Sequence, residues 1–418
     1  MKRSRMAVLL MAVLIDMMGF GIVIPVLPFY ALELGASALE VTALIASFSA
    51  MQMAATPIWG RFSDRRGRRP LIIAGLFASA VSYLLFGLAN SLWLLLVSRM
   101  AAGAAGGTIS VAQAYVADAT TKEERAHWMG QIGAASGLGV MLGPAVGGFF
   151  SQFGLGTPGF VAAALCLVNA IAALILLPES RPARSAAAVH TGETATLAGW
   201  VRVMGRQPLS LLLGVYFLGI SSFTAITALL ALYFEQRFGI GAQDMGFLFT
   251  VAGGTTVIVR GALLGMLVRH FGEPATVRLG AFGLLLSAAL IPLMPSFWLA
   301  ALLTPVYAFG AGTLFPALAT LVSFATDSDS QGSVLGGSQV VGGLGRVTAP
   351  LWAGWLFQSA GAGTPYHVAA VVAATSLLLA LRIPTLHRAA PGGAGTPFRD
   401  ELRGPETGGA AASVAPGK

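Results

Sequence analysis

Asp16 is an acidic residue within an otherwise apolar segment, LIDMMGFG. Most other acidic residues lie in polar segments or at the ends of apolar ones. If this segment crosses a membrane, a charged Asp16 costs about 2.5–3.5 kcal/mol, so such a residue is kept for a function or for a partner. A carboxyl group in this setting can load and release a proton when its surroundings change. The structural alternative is that Asp16 only bonds a neighbouring helix.

Three arginines, Arg99, Arg260 and Arg346, also lie in apolar segments. One interpretation is that Arg99 tunes the proton affinity of Asp16, while Arg260 and Arg346 hold an anionic or zwitterionic substrate. The alternative is that these side chains satisfy backbone carbonyls at helix breaks or extend to the membrane surface. The sequence leaves both interpretations open.

The segment GRFSDRRGRRP, residues 60–70, surrounds one acid, Asp64, with arginines and glycines. Membrane topology explains the arginines but not Asp64. A carboxylate here can sit at a helix N-terminus, where the helix dipole favours it, and Arg68 can pair with Asp118. We expect these residues to latch two halves of the molecule on the cytoplasmic side in one conformational state and to part in the other. The predicted latch comprises Gly60, Asp64, Arg65, Gly67, Arg68 and Asp118.

A glycine and proline skeleton occurs twice in the chain. Its first copy is Gly130, Gly139, Gly143, Pro144, Gly147 and Gly148, and its second, 206 positions later, is Gly336, Gly345, Ala349, Pro350, Ala353 and Gly354. Small residues let helices approach closely, and an internal proline bends a helix. Because twice 206 is close to the full 418 residues, the pattern predicts two repeated halves.

The composition is that of an integral membrane protein. Apolar residues make up 56% of the chain, charged residues 10%, and the mean hydropathy is +0.78, far from the averages of soluble domains. Apolar runs of about 20 residues predict membrane-spanning helices. They give an all-α fold of twelve spans, six per half, near 6–32, 41–61, 70–89, 92–118, 126–153, 157–178, 207–235, 243–270, 274–293, 297–326, 330–359 and 364–383.

The basic residues follow the predicted topology. They gather in alternate connections between spans, so the net charge of +8 does not indicate nucleic acid, and both termini are predicted to be cytoplasmic in a bacterial inner membrane. The predicted organisation is a first half at 1–180, a cytoplasmic linker at 181–206, a second half at 207–384 and a disordered cytoplasmic tail at 385–418.

Enzymatic and metal chemistry are not indicated. Cys166 is the single cysteine, the five histidines lack ligand spacing, and no nucleophile and base are paired. We therefore expect no cofactor, with a proton gradient as the energy source. The expected partners are a small-molecule substrate, protons and membrane lipid, with a monomer as the default because two halves can enclose a pathway.

Soft and aromatic side chains predict an adaptable apolar pocket, although core packing is the alternative for most of them. The residues predicted to contact substrate are Phe20, Gln52, Met141, Gln113 and Phe223, together with Arg260 and Arg346.

Four motifs in order resemble those of the major facilitator superfamily, and within it the twelve-span drug/proton antiporters that include tetracycline efflux proteins. The motifs are Asp16 with Pro25 and Pro28, the run from Gly60 to Arg69, Arg99 with Gly103 and Gly106, and the run from Gly130 to Gly148. The last resembles the span 5 motif of exporters.

The resemblance implies efflux of small amphipathic drugs in exchange for protons, with Asp16 and Arg99 in coupling and the loop between spans 2 and 3 in the conformational switch. Ser82 and Leu284 stand where the tetracycline exporters carry acids in spans 3 and 9, so recognition of a metal-chelated drug is not implied. Transport of an endogenous anionic metabolite or a lipid-linked headgroup is the alternative function, motivated by Arg260 and Arg346.

Overall fold

The computed structural model describes residues 2–180, 205, 207–326 and 331–384. Every regular element in these ranges is helical, which confirms the all-α class. Ten helical stretches have the length and apolar composition of a membrane span. One of them, Ala242–Leu293, contains two spans that meet at Gly272, and Gln331–Ala360 is a further long helix. The described residues thus hold twelve spans, whereas the predicted tail and all of the predicted linker except Gly205 lie outside them.

The first six spans lie close to their predicted positions. Spans 1 to 6 are Lys2–Val23 with Leu27–Glu33, Ala38–Arg66, Arg68–Gly87, Leu92–Ala105 with Thr108–Ala119, Lys122–Ser151, and Thr157–Leu176. Spans 1 and 4 are therefore broken helices.

The last six spans repeat this order. Spans 7 and 8 are Leu209–Phe238, and Ala242–Ile258 continued by the π-helical turn Val259–Leu263 and residues 264–271. Spans 9 to 12 are residues 273–290, Phe297–Ala301 with Leu303–Phe324, Gln331–Ala360, and Thr364–Leu381.

Local sequence signals set several helix starts. Ser37 and Glu40 form a capping box at span 2, in which the Ser37 N–H donates to Glu40 Oε2 at 2.8 Å and the Glu40 N–H donates to Ser37 Oγ at 3.3 Å. Ser91 accepts from the Leu94 N–H at the start of span 4. Pro158 and Pro365 occupy the first turns of spans 6 and 12, where a missing N–H costs no hydrogen bond.

Two equivalent glycines make the tight turns between spans 2 and 3 and between spans 8 and 9. Gly67 has φ +94° and Gly272 has φ +77°, a region that residues with a Cβ rarely adopt. They stand at equivalent positions of the internal repeat. The repeat in the sequence therefore corresponds to a repeated backbone conformation.

The glycine skeleton of span 5 lies against span 1. A methyl group at Gly143 would lie 2.6 Å from both the Met18 carbonyl oxygen and Gly21 Cα, and one at Gly139 would lie 2.8 Å from Met17 Cβ. The two backbones therefore approach closely enough that only glycine fits at these positions. This contact positions span 1, which carries Asp16.

Candidate functional site

Asp16 lies in the interior of the first six spans. Its side chain is 4% exposed, and its Oδ1 accepts a hydrogen bond from Ser79 Oγ of span 3 at 3.0 Å. Thr108, the first residue after the break in span 4, lies near the carboxylate, and its hydroxyl donates to the Ala105 carbonyl at 3.4 Å. No ion pair to Asp16 occurs among the described residues. A carboxyl held by a hydroxyl group can exchange a proton without breaking an ion pair.

Span 6 completes the surroundings of Asp16. Tyr83 and Cys166 lie near the carboxylate, and both side chains would contact a methyl group placed at Gly19. Asn169 Nδ2 donates to the Ala12 carbonyl at 3.0 Å and so ties span 6 to span 1. Spans 1, 3, 4 and 6 together enclose the acid.

Arg99 is buried beside this group but contacts aromatic rings and not the acid. Its side chain is 3% exposed, and its guanidinium carbon lies 5.1 Å from the Phe86 ring centre and 6.0 Å from that of Tyr83. Its Nε and Nη2 have no hydrogen-bond partner in the described structure. Arg99 was predicted to tune the proton affinity of Asp16, but the two side chains form no ion pair in the described structure. Tyr83 lies near both charges, so any such influence would act across its ring.

Arg68 is the centre of the cluster between spans 2 and 3. Its Nε lies 2.9 Å from Asp118 Oδ2, its Nη2 lies 2.7 Å from Asp64 Oδ1, and its Nη1 donates to Ser63 Oγ at 2.6 Å. The predicted pairing of Arg68 with Asp118 is therefore present. Three spans, 2, 3 and 4, are joined by one guanidinium.

These recorded contacts all lie within the first six spans. Arg65 is exposed, and a methyl group added at Gly60 would have no neighbouring described atom within 4 Å. The acids of the cluster are engaged by Arg68 of their own half, and the latch between the two halves remains a prediction.

Glu179, at the end of span 6, is a member of this cluster that sequence reasoning missed. Its carboxylate accepts from the backbone N–H of Arg68 at 3.0 Å and of Arg69 at 3.2 Å, so it caps the first turn of span 3. The Arg69 guanidinium donates in return to the Leu174 carbonyl at 2.6 Å. An acid directly after Pro178 was the available signal, but its partner is more than 100 residues away.

The second half keeps part of this arrangement. Arg278, early in span 9, donates to the carbonyls of Ala380 at 3.2 Å and Ile383 at 2.5 Å at the end of span 12, as Arg69 does at span 6. Arg269 occupies the position equivalent to Asp64 and is exposed. In the described part of the second half, the position of Asp64 in the Arg68 cluster is thus taken by a basic residue.

Glycine positions of the described residues show where the two sets of six spans approach each other closely. We call the side that holds the N-terminus and Gly67 the terminus side, and the opposite side the far side. On the far side, a methyl group at Gly148 would lie 2.9 Å from Gly246 Cα, and one at Gly354 would lie 2.9 Å from Thr42 Cβ. On the terminus side, added methyl groups would meet no described atom within 4 Å at Gly60, Gly130, Gly133, Gly261, Gly265 and Gly336.

The residues predicted to contact substrate are distributed over both sets of spans. Gln113 and Arg260 are exposed, whereas the others are half-buried: Phe20, Gln52, Met141, Phe223 and Arg346. Gln52 lies against Gly106 at the break in span 4, and Met141 packs on Gly253 of span 8. No ion pair or hydrogen bond of the Arg260 or Arg346 side chain is recorded among the described residues.

An aromatic cluster on spans 7 and 10 extends beyond the one predicted member, Phe223. The Phe223 ring stacks on Tyr307 with centres 5.0 Å apart and contacts Phe315 edge-on at 5.7 Å, and Phe315 contacts Tyr216 at 5.8 Å. Tyr216 packs on Gly342, which lies one helical turn before Arg346 on span 11. Tyr216 lies seven residues before Phe223 in span 7, and Tyr307 lies eight residues before Phe315 in span 10. Such spacings place aromatic side chains on one face of a helix, and they were the signal that could have revealed Tyr216, Tyr307 and Phe315.

Comparison with known proteins identifies a family of membrane transporters. The model of the Major Facilitator Superfamily matches residues 9–350. The chain is 29% identical to a class B tetracycline resistance protein of Escherichia coli, covering 85% of this chain and 92% of that protein, and 31% identical to multidrug resistance protein 1 of Bacillus subtilis, covering 91% and 96%. Among solved structures, the human organic anion transporter MFSD10 (TETRAN) is 25% identical with a TM-score of 0.68, covering 91% of this chain and 99% of that one.

Proposed function

Because this chain belongs to the major facilitator superfamily, we propose that it is a proton-coupled antiporter that exports small amphipathic drugs. The resemblance inferred from its four motifs is confirmed, and the chain is a membrane transporter and not an enzyme. The observation that carries the proposal is Asp16, a buried carboxyl that accepts a hydrogen bond from the Ser79 hydroxyl and has Thr108 nearby. Such a group is the simplest carrier for one coupling proton.

The proposed setting is the inner membrane of a bacterium, with the terminus side facing the cytoplasm. This orientation agrees with the basic residues of the 2–3 connection. With this orientation the conformation described here is open to the cytoplasm and closed at the far side. We treat 1–180 and 207–384 as the two bodies that rock against each other, joined by a linker at 181–206, with a tail from 385.

The coupling step uses the burial of Asp16. When the carboxyl is protonated, its desolvation costs little, and spans 1, 3 and 4 can stay closely packed around it. When it loses the proton, a charge remains in an apolar surrounding, which favours a rearrangement that brings it towards water. The Arg68 cluster at the ends of spans 2, 3 and 4 is the element whose contacts change in that rearrangement.

The proposed substrate site lies between the two bodies. The aromatic cluster around Phe223 offers ring faces, and Gln52 and Gln113 offer polar contacts. Ser82 and Leu284 are both buried and bring no carboxylate to spans 3 and 9. An aromatic, amphipathic compound therefore suits the site better than a metal-chelated drug.

The test uses inverted membrane vesicles that contain the full chain and a panel of ethidium, rhodamine 6G and tetracycline. Wild type is expected to accumulate at least one compound when the vesicle interior is made more acidic than the outside, because protons then leave the vesicle as the compound enters. Asp16→Asn is expected to keep binding of that compound but to lose gradient-driven uptake. The matched control is Asp244→Asn, which alters an exposed acid at the start of span 8. Unchanged gradient-driven uptake by Asp16→Asn would contradict the proposal.

Transport of an organic anion is the second candidate function. It is motivated by Arg260, which is exposed, and Arg346, which is half-buried, both in membrane spans, and by the likeness to a protein named as an organic anion transporter. Direct binding of neutral, cationic and anionic compounds to the purified protein separates the two candidates. If the Arg260→Ala, Arg346→Ala double variant leaves anion binding intact, the second candidate fails.

A further inference from the structure

Trp59 connects the end of span 2 to the break in span 4. Its indole Nε1 donates to the Ala104 carbonyl oxygen at 2.6 Å. In an unbroken helix that oxygen would accept from the Thr108 N–H, but span 4 stops at Ala105 and restarts at Thr108. The indole thus supplies a donor to a carbonyl at the helix break.

The fit between Trp59 and the break is close. A methyl group at Gly107 would lie 2.6 Å from Trp59 Cβ and 2.5 Å from its Cδ1, so the indole lies directly on the glycine. The indole also lines a groove of about 450 Å³ between spans 2, 3 and 4, where Val81 is 55% exposed. The lining of this groove is almost entirely apolar, so it offers the Ala104 carbonyl no ready replacement for the indole donor.

The break connects directly to Asp16. Thr108 restarts span 4, is buried beside the carboxylate, and donates its hydroxyl to the Ala105 carbonyl at 3.4 Å, across the break. The other titratable groups around Asp16 are Tyr83 and Cys166, with Arg99 beyond Tyr83. Any change in the position of Thr108 that follows protonation must move the turn at residues 105–107, on which Trp59 rests.

The other end of the connection is the Arg68 cluster. Trp59 precedes Gly60 in span 2, and one turn later Ser63 accepts from the Arg68 guanidinium at 2.6 Å. Trp59, Ser63 and Asp64 lie on one continuous helix, so a displacement of span 2 at Trp59 is carried to the helix end that holds Ser63 and Asp64.

We propose that Trp59 is a positioning residue that couples the protonation of Asp16 to the Arg68 cluster, through its hydrogen bond to the break in span 4. The inference rests on the proposed function, because it assumes that Asp16 carries the coupling proton. Substrate does not contact Trp59 in this scheme. Loss of the indole N–H is therefore expected to separate proton movement from substrate movement and not to abolish substrate binding.

The test compares two activities of the full chain in inverted vesicles, using the compound of the panel above with the largest uptake. One activity is uptake driven by a proton gradient, and the other is exchange of labelled for unlabelled compound without a gradient. Trp59→Phe, which keeps the ring but removes the donor, is expected to lower gradient-driven uptake roughly tenfold, the scale of one net hydrogen bond. Exchange and binding affinity are expected to stay within about twofold of wild type.

A second variant approaches the same contact from the other side. Gly107→Ala places a methyl group in the space of the indole and is expected to give the same loss of coupling. The controls are Trp93→Phe, whose ring is 71% exposed, and Gly214→Ala, where the nearest atom to an added methyl group is 3.7 Å away.

Two outcomes overturn the inference. In the first, Trp59→Phe and Gly107→Ala show the same gradient-driven uptake as their controls. In the second, they lose exchange and gradient-driven uptake in equal measure, which indicates a structural role only. If wild type itself shows exchange but no gradient-driven uptake, the proposed function fails. That result concerns wild type and is therefore distinguishable from the two outcomes above, which concern the variants.

Discussion

The Arg99 guanidinium lies 5.1 Å from the centre of the Phe86 ring and forms no ion pair with Asp16 among the described residues. A buried cation and a buried acid thus occupy neighbouring spans of one half without neutralising each other directly. The rings of Tyr83 and Phe86 give Arg99 its recorded stabilisation. This arrangement leaves the carboxyl free to change its protonation state.

Arg99→Lys is expected to impair transport although it keeps the positive charge. A lysine ammonium lacks the planar guanidinium that lies over two rings, and a desolvated contact of this kind contributes about 2 kcal/mol. We expect substrate binding to persist and gradient-driven uptake to fall more than tenfold, measured in inverted vesicles. Arg382→Lys, at an exposed position after span 12, is the control. Wild-type uptake by Arg99→Lys would show that the charge alone is sufficient.

Glu179→Gln is expected to destabilise the start of span 3. The carboxylate caps the N–H groups of Arg68 and Arg69, and loss of its charge at a helix N-terminus costs about 1 kcal/mol. The unfolding temperature in detergent is measured by reaction of a fluorogenic dye with Cys166, which is buried in the folded protein. Glu235→Gln, an exposed acid near the end of span 7, is expected to leave that temperature unchanged. An equal temperature for both variants would contradict the capping role.

Gly143→Ala is expected to separate spans 1 and 5. The added methyl group would lie 2.6 Å from two backbone atoms of span 1, and backbone cannot move aside as a side chain can, so overpacking costs about 1–3 kcal/mol. The same dye assay measures the loss. Gly133→Ala lies in the same helix with open space around the new methyl group, and it is expected to match wild type. A stable Gly143→Ala protein would show that the two spans can move apart freely.

Gly148→Ala is expected to shift the protein away from the conformation described here. The new methyl group would press on Gly246 of span 8, on the side where the two halves meet. A cysteine introduced at Thr42 in a Cys166→Ser background then becomes more accessible to a membrane-impermeant thiol reagent. The measurement is the labelling rate in intact cells, with Gly133→Ala as the control. An unchanged rate would mean that the halves do not close through this contact.

Much of the architecture could be predicted from the sequence because it depends on local properties. Apolar length sets the spans, and the two positive-φ turns at Gly67 and Gly272 recur at equivalent repeat positions. The pairing of Arg68 with Asp118 was also predictable, because opposite charges at the same membrane face find each other. The apolar residues on both sides of Asp16 were sufficient to predict that it lies inside a span.

The tertiary structure decided how these elements use their polar groups. Arg99 lies on aromatic rings, Glu179 caps a helix that starts 111 residues earlier, and Trp59 donates to a helix break in another span. Each of these contacts depends on the relative rotation of helices far apart in sequence, and apolar periodicity carries no information about that rotation. The sequence alone also does not determine the side on which the two halves meet. In the proposed mechanism, one sequence must stabilise more than one arrangement of the same spans.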